Sequence, residues 1–410
     1  MPTPPSAYLR FERAYRRGDH VVVLAEGDRV ADQLSAAGQT ELIPEVLVQI
    51  GAVHAAQDRF VPAAAYLEQG LAMAASLAPP PNPAGPRATP PGPAPAPPAP
   101  RGPFDPLPPG GPFSASGPTA PWLPGAPAGG GGDRLGSSAL RAARLANRLD
   151  WFALALLDVW LRSGRYDDVL ARAPNLVDPT HRAEIRFAAT RAHAAALGAR
   201  GQFEGAHHLL NTAGGLASRI RSRFRAALIE GDRAVLLAAQ GRLLEAITAA
   251  DRVLPSMIRP PVGEYQQWSN AEGATIALAL SRTASATGDH LTAQRMLHLG
   301  TTATQRVSSI YLHAQLDLSR GVLWLLEGDL DAAEASLVSA GRQFGVLGCA
   351  PAGALTTMEQ GRLAQARGLV RSARPLYERA LADFRRLGQP REISELTRLL
   401  SGLDHRAAGN

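Results

Sequence analysis

Residues 321–340 read GVLWLLEGDLDAAEASLVSA, and this stretch decides the fold. Ahead of Gly328-Asp329, the apolar residues Leu318, Val322, Leu325 and Leu326 recur at helical spacing. Behind it Ala332, Ala333, Leu337 and Ala340 do the same. The reading is helix, tight turn, helix. The same small-residue turn occurs eight times, at Gly18-Asp19-His20, Asp58-Arg59-Phe60, Gly164-Arg165-Tyr166, Gly201-Gln202-Phe203, Gly241-Arg242-Leu243, Gly288-Asp289-His290, Gly328-Asp329-Leu330 and Gly368-Leu369-Val370. Between first residues the spacings are 40, 106, 37, 40, 47, 40 and 40. Five residues after each start stands Val23, Ala63, Val169, Ala206, Ala246, Ala293, Ala333 or Ala373. A slim side chain there lets a second helix lie close against a first. Units of this length cannot bury their apolar faces alone and stack into a solenoid. Alternating β-branched runs and Asn-Gly hairpins are absent, so strands are not expected.

The 106-residue interval holds different material. Of 34 prolines, 21 fall between Pro79 and Pro127, interleaved with Gly and Ala and followed by Gly129 to Gly132. Proline forbids regular helix, and so polar and small a segment buries too little apolar surface to offset its ordering entropy. The chain therefore divides into N-terminal helical hairpins over 1–77, a disordered Pro/Gly/Ala-rich linker over 78–135, a helical array over 136–403 and a flexible tail over 404–410. Pro260-Pro261 accounts for the 47-residue interval. The apolar positions Ile393, Leu396, Leu399 and Leu400 predict a closing helix over 391–403 that covers the last repeat. Two repeats alone are marginal, so the N-terminal pair is expected to dock on the main array or to form a homo-oligomer.

Composition bounds the chemistry. All 42 basic residues are arginine, which removes every mechanism built on a Schiff-base, P-loop or general-base lysine. The net charge of +6 and pI near 10 imply weak attraction to polyanions. With 36 carboxylates mixed in, nucleic acid is not expected as a partner. The single cysteine, Cys349, excludes an internal disulfide and fits a reducing compartment. No apolar run approaches the ~20 residues of a membrane span, so no membrane partner is expected and a cytoplasmic location is. No GxxxxGK[ST], G-x-S-x-G or H-E-x-x-H occurs, and the ten histidines are scattered. Neither a cofactor, a metal nor an enzyme is expected. The four arginines of the run Arg219 to Arg225 stand two residues apart and diverge around a helix, so they form no single groove-reading face.

Individual units resemble the tetratricopeptide repeat family. Gly321 opens the family's first-helix Gly-x-x-aromatic pattern with Trp324. Gly328 marks the turn, and Ala333 the small second-helix position. Gly361, Gly368, Ala373, Tyr377 and Ala380 repeat it, as do Leu47, Gly51, Phe60, Ala63 and Leu67. In the other five units the first-helix glycine is replaced by Phe11, Leu157, Ala194, Ala234 or Ser281. The forty-residue period is closer to the longer-helix repeats in the sensor arrays of large bacterial transcription regulators. The resemblance implies an all-α, right-handed α-solenoid of helical hairpins. It further implies a non-catalytic scaffold that binds a protein or peptide segment on the concave face of its first helices. The alternative is a sensor or regulatory array that works with a transcription regulator or binds a small ligand. Carried onto this chain, the family's concave positions are Asp158, Arg191, Arg282, Gln315, Arg362 and Gln365. Arginine grasps carboxylates bidentately, so an acidic partner is the natural guest.

Overall fold

The computed structural model describes residues 6–77, 138–258 and 266–408, without the side chains of 138–148, 266–267 and 405–408. The whole of the expected linker over 78–135 and the Pro260-Pro261 connection lie outside the described residues. Within them the chain is all helical. Seventeen α-helices run from α1 (Ser6–Arg16) and α2 (His20–Ala36) through α3 (Ile43–Ala56) and α4 (Phe60–Leu77) to α5 (Ser138–Ser163) and α6 (Tyr166–Leu176). They continue with α7 (Ala183–Ala199), α8 (Phe203–Arg219), α9 (Arg223–Ala239), α10 (Leu243–Ile258), α11 (Gln266–Thr287), α12 (His290–Thr304), α13 (Ile310–Glu327), α14 (Leu330–Leu347), α15 (Ala350–Ala366), α16 (Val370–Leu387) and α17 (Pro390–Ala408). Every helix packs against its successor. The pairs α1–α2 to α15–α16 form hairpins 1 to 8. The closing helix α17 runs through Ala408 and does not end at Leu403, so the residues expected as a tail begin inside it.

All eight predicted turns join the two helices of a hairpin, and the first residue of each lies in the left-handed region. The glycines have φ between 73° at Gly18 and 84° at Gly328, and Asp58 takes the position in hairpin 2 with φ 57°. Where the next residue is Asp19, Asp289 or Asp329, its carboxylate accepts a hydrogen bond from Val22, Thr292 or Ala332 N–H and caps the second helix. Each small residue five positions on is fully buried, with 0% exposure at all eight.

The crossing explains why five units dispense with the first-helix glycine. Seven residues before the turn and nine after it, the two helices face each other, and every such pair has at least one small member. Gly51 lies against Leu67, Gly321 against Leu337 and Gly361 against Tyr377. Hairpin 1 inverts the arrangement, with Phe11 on the first helix and Gly27 on the second. The remaining pairs are Leu157/Ala173, Ala194/Leu210, Ala234/Ala250 and Ser281/Leu297. The Ser281 hydroxyl donates to the Ala293 carbonyl at 2.9 Å.

First helices also touch one another in order. α5, α7, α9, α11, α13 and α15 each contact the next, and α15 returns to contact α5. This circuit is closed by a seam between segments far apart in sequence. The turns of hairpins 2, 3 and 4 sit on the loops that open α13, α15 and α17. Asp58 accepts from Ser309 Oγ at 2.8 Å and from Tyr311 N–H at 3.1 Å. Gly164 needs both of its freedoms, a φ of 82° and a bare Cα, because a Cβ would strike Leu387 and Pro351. Gly201 lies on Pro390, and Gln389 donates to the Tyr166 hydroxyl at 3.1 Å. The N-terminal pair docks on the main array by the same route, helped by Trp160 Nε1 donating to Glu68 at 2.8 Å. One apolar core accordingly joins Phe60 and Leu67 of α4, Phe152 and Leu156 of α5, and Leu337 and Phe344 of α14.

Ala333→Trp inserts a bulky ring at a fully buried crossing. It should lower the unfolding free energy by about 1–3 kcal/mol or more in urea titration. An unchanged midpoint would contradict the repeat register.

Candidate functional site

The first helices of the circuit share a set of charged and polar side chains that meet across neighbouring helices. Its groups are deeply surrounded by protein, yet several keep about a fifth to a third of their side-chain surface. All six residues expected on the concave face are carried by first helices of this circuit: Asp158 by α5, Arg191 by α7, Arg282 by α11, Gln315 by α13, and Arg362 and Gln365 by α15. The structure shows which of them are already engaged by this chain.

Arg191 joins three helices. Its Nε and Nη2 grip Asp232 of α9 at 2.6 and 2.8 Å, and Nη2 reaches Glu272 of α11 at 3.4 Å. Burial works against the guanidinium charge, but the two carboxylates outweigh it and hold Arg191 charged. Asp158 pairs with Arg162 one turn along α5 at 2.7 Å. The Arg162 guanidinium lies 4.5 Å from the centre of the Tyr311 ring of α13 and 5.5 Å from that of Phe60 of α4. Tyr311 in turn meets Phe60 and Phe344 edge-on. This cation–aromatic stack bridges the seam from inside.

Arg362 is held by Glu359 at 3.0 Å on its own helix and by Glu395 of α17. Burial pushes the Glu359 carboxyl above the ordinary glutamate range, against the pull of Arg362. Gln365 accepts from the Tyr377 hydroxyl at 2.9 Å, and Gln315 donates to the Tyr311 hydroxyl at 3.1 Å. Arg282 differs from the other three arginines. It donates to the Ser319 hydroxyl at 2.9 Å, and no carboxylate of the described residues lies within ion-pair distance of it. Burial lowers its pKa to about 10, with only the more distant Tyr311 and Glu359 acting to raise it.

The sequence reading names the positions on this face but not their partners: Arg162, Asp232, Glu272, Tyr311, Glu359 and Glu395. A signal for some of them exists. Asp232 follows Arg191 by 41 residues and Glu272 by 81, about one and two repeat periods, so a cation and two carboxylates recur down neighbouring helices. The single thiol, Cys349, is a buried core residue, and burial pushes its pKa up to about 12. Among the described residues no group of three or more His, Cys, Asp or Glu could hold a metal ion. Nor is any described helix long and apolar enough to cross a membrane. Compared with models of known protein families and with curated proteins, the chain matches none.

Arg191→Met would leave Asp232 and Glu272 facing each other without a counter-ion. Since all three side chains keep partial solvent access, a loss of about 2–3 kcal/mol is expected in urea unfolding. The elevated Glu359 pKa sets a pH dependence. The folded chain binds that proton more readily than the unfolded one, so this carboxyl adds stability as pH falls from neutral toward its ordinary range. Wild type should therefore gain stability relative to Glu359→Gln between pH 7 and pH 5, as read from paired melting curves. A loss over that interval would contradict the assignment.

Proposed function

We propose that this chain is a non-catalytic, cytoplasmic interaction scaffold of the tetratricopeptide kind. In this reading the hairpins continue as a right-handed α-solenoid interrupted by a disordered Pro/Gly-rich insert over 78–135. The inner face of the first helices receives an acidic segment of a partner protein. The observation that carries the reading is the chemistry of that face. A purely structural lining would be met with apolar side chains, whereas this one presents Asp158, Arg191, Arg282, Gln315, Arg362 and Gln365 in repeat register. Internal ion pairs already engage Arg191 and Arg362, and a guest that used them would have to displace carboxylates. Arg282 carries no such cost.

The contact of α15 with α5 favours a second reading, in which the array is a regulatory sensor and the guest is small. A closed circuit of first helices encloses its inner face and suits a compact ligand better than a long groove-bound chain. Native mass spectrometry of the purified protein separates the two readings, since only the sensor should carry a small molecule through purification.

Affinity capture tests the scaffold reading. The full-length chain, immobilised beside Arg282→Glu, should retain one discrete protein from a lysate of its own source. The variant should lose that protein while melting as a folded protein. Retention of the same set by both, or of nothing by either, would contradict the scaffold reading.

A further inference from the structure

Two inner arginines occupy the same place in their repeats. Arg282 and Arg362 each stand six residues before the turn glycine, Gly288 or Gly368. Three residues before Arg362 is Glu359, and thirty-three residues after it is Glu395, the sixth residue of the next first helix, α17; both grip its guanidinium. The corresponding positions around Arg282 hold Ala279 and Gln315, and Gln315 is likewise the sixth residue of the next first helix, α13. The chain thus shows, eighty residues apart, one arginine with its carboxylates and one with both removed.

Arg282 meets a serine of the next first helix. Ser319 Oγ accepts from Nη1 at 2.9 Å while itself donating to the Gln315 carbonyl at 2.8 Å. Gln315 Nε2 donates to the Tyr311 hydroxyl at 3.1 Å, so a second donor-rich side chain lies on the same face. A guanidinium has five N–H donors, and holding them in the protein with one hydroxyl acceptor is costly when the carboxylate that acts on it, Glu359, is already in ion-pair contact with Arg362. The other inner arginines, Arg162, Arg191 and Arg362, each have carboxylates of this chain.

We propose that Arg282, with Ser319 and Gln315, forms a receptor for one carboxylate group brought by a ligand, in the role that Glu359 plays beside Arg362. The chemical class follows from that comparison, because carboxylates stand at the equivalent repeat positions around Arg362. The group can arrive on a free small organic acid or on an acidic residue of a peptide. The inference deepens the proposed role of the inner face and rests on that face being receptive, but its test uses no partner protein. A failed lysate capture therefore leaves the site standing, and a failed titration leaves the scaffold reading to be decided by the capture experiment.

The test is a set of melting curves of the full-length chain and two variants at constant ionic strength, in chloride and in increasing succinate. A third arm uses acetyl-Ala-Ala-Glu-Ala-Ala-amide against its Gln counterpart. Wild type should show a saturable rise in melting temperature with a carboxylate ligand that chloride and the Gln peptide do not give. Succinate or the Glu peptide, whichever saturates at the lower concentration, identifies the source of the group. Arg282→Met removes the uncompensated charge and should melt higher than wild type in chloride, with carboxylate affinity reduced about 10–100-fold. Gln315→Glu restores the internal carboxylate by the design of the Arg362 site. It should likewise melt higher in chloride and lose the carboxylate response. Equal responses in wild type and Arg282→Met, no response beyond chloride in wild type, or a Gln315→Glu protein that still responds as wild type would each overturn the proposal.

Discussion

The close crossing within each hairpin is the constraint on which the rest of this structure depends. A residue in the left-handed region reverses the chain, and five positions later a side chain with no exposed surface lets the second helix settle on the first. Helices packed this tightly leave little room, so one member of the pair seven before and nine after the turn is small in every hairpin. Glycine faces Leu67, Leu337 or Tyr377 in three hairpins, and the order is inverted at Phe11 and Gly27. The crossing is therefore kept by one small side chain, which either helix can supply. This is why a strict one-residue signature fades in most units while the geometry persists.

Repetition of that crossing brings distant segments together. The turns of hairpins 2, 3 and 4 meet the loops opening α13, α15 and α17, each time about five units further along the chain. The regular offset makes the seam a consequence of the repeat and not an isolated contact. It is a varied surface: a shared carboxylate at Asp58, bare backbone at Gly164, a proline against Gly201 and a guanidinium between aromatic rings at Arg162. Closing the circuit places the inner charges among themselves, where ordinary solvent screening is reduced and pairing becomes necessary. Three arginines meet that need with carboxylates supplied by their own or a neighbouring inner helix. Arg282, in the same repeat column as Arg362, instead meets the Ser319 hydroxyl.

Much of this could be read from the amino-acid order. The turns, the slim residues after them and the helix after Gln389 follow from local rules, because backbone chirality and apolar periodicity act over a few residues. The six inner positions also fall on first helices as their register requires. The seam could not be read, since Asp58 and Ser309 are 251 residues apart and no motif links the two. Nor could the engagement of Arg191 and Arg362, because a charged helical residue looks the same facing solvent or facing a partner. The extension of α17 to Ala408 beyond the last apolar repeat position has the same origin. Propensity continues a helix after the packing signal has ended.

Closure of the chain on itself is the central claim, and the only cysteine reports on it. Cys349 lies beside Gly348, which packs on Val61 of hairpin 2, and just ahead of Pro351, which covers Gly164. The residue is 1% exposed. The most direct measurement is the rate at which a chromogenic aromatic disulfide reacts with the native protein at mildly alkaline pH, against the same protein unfolded in urea. A closed seam predicts that Cys349 stays unreacted over the time in which the unfolded chain reacts to completion. Native and unfolded rates within a few-fold of each other would mean that the seam is open in solution.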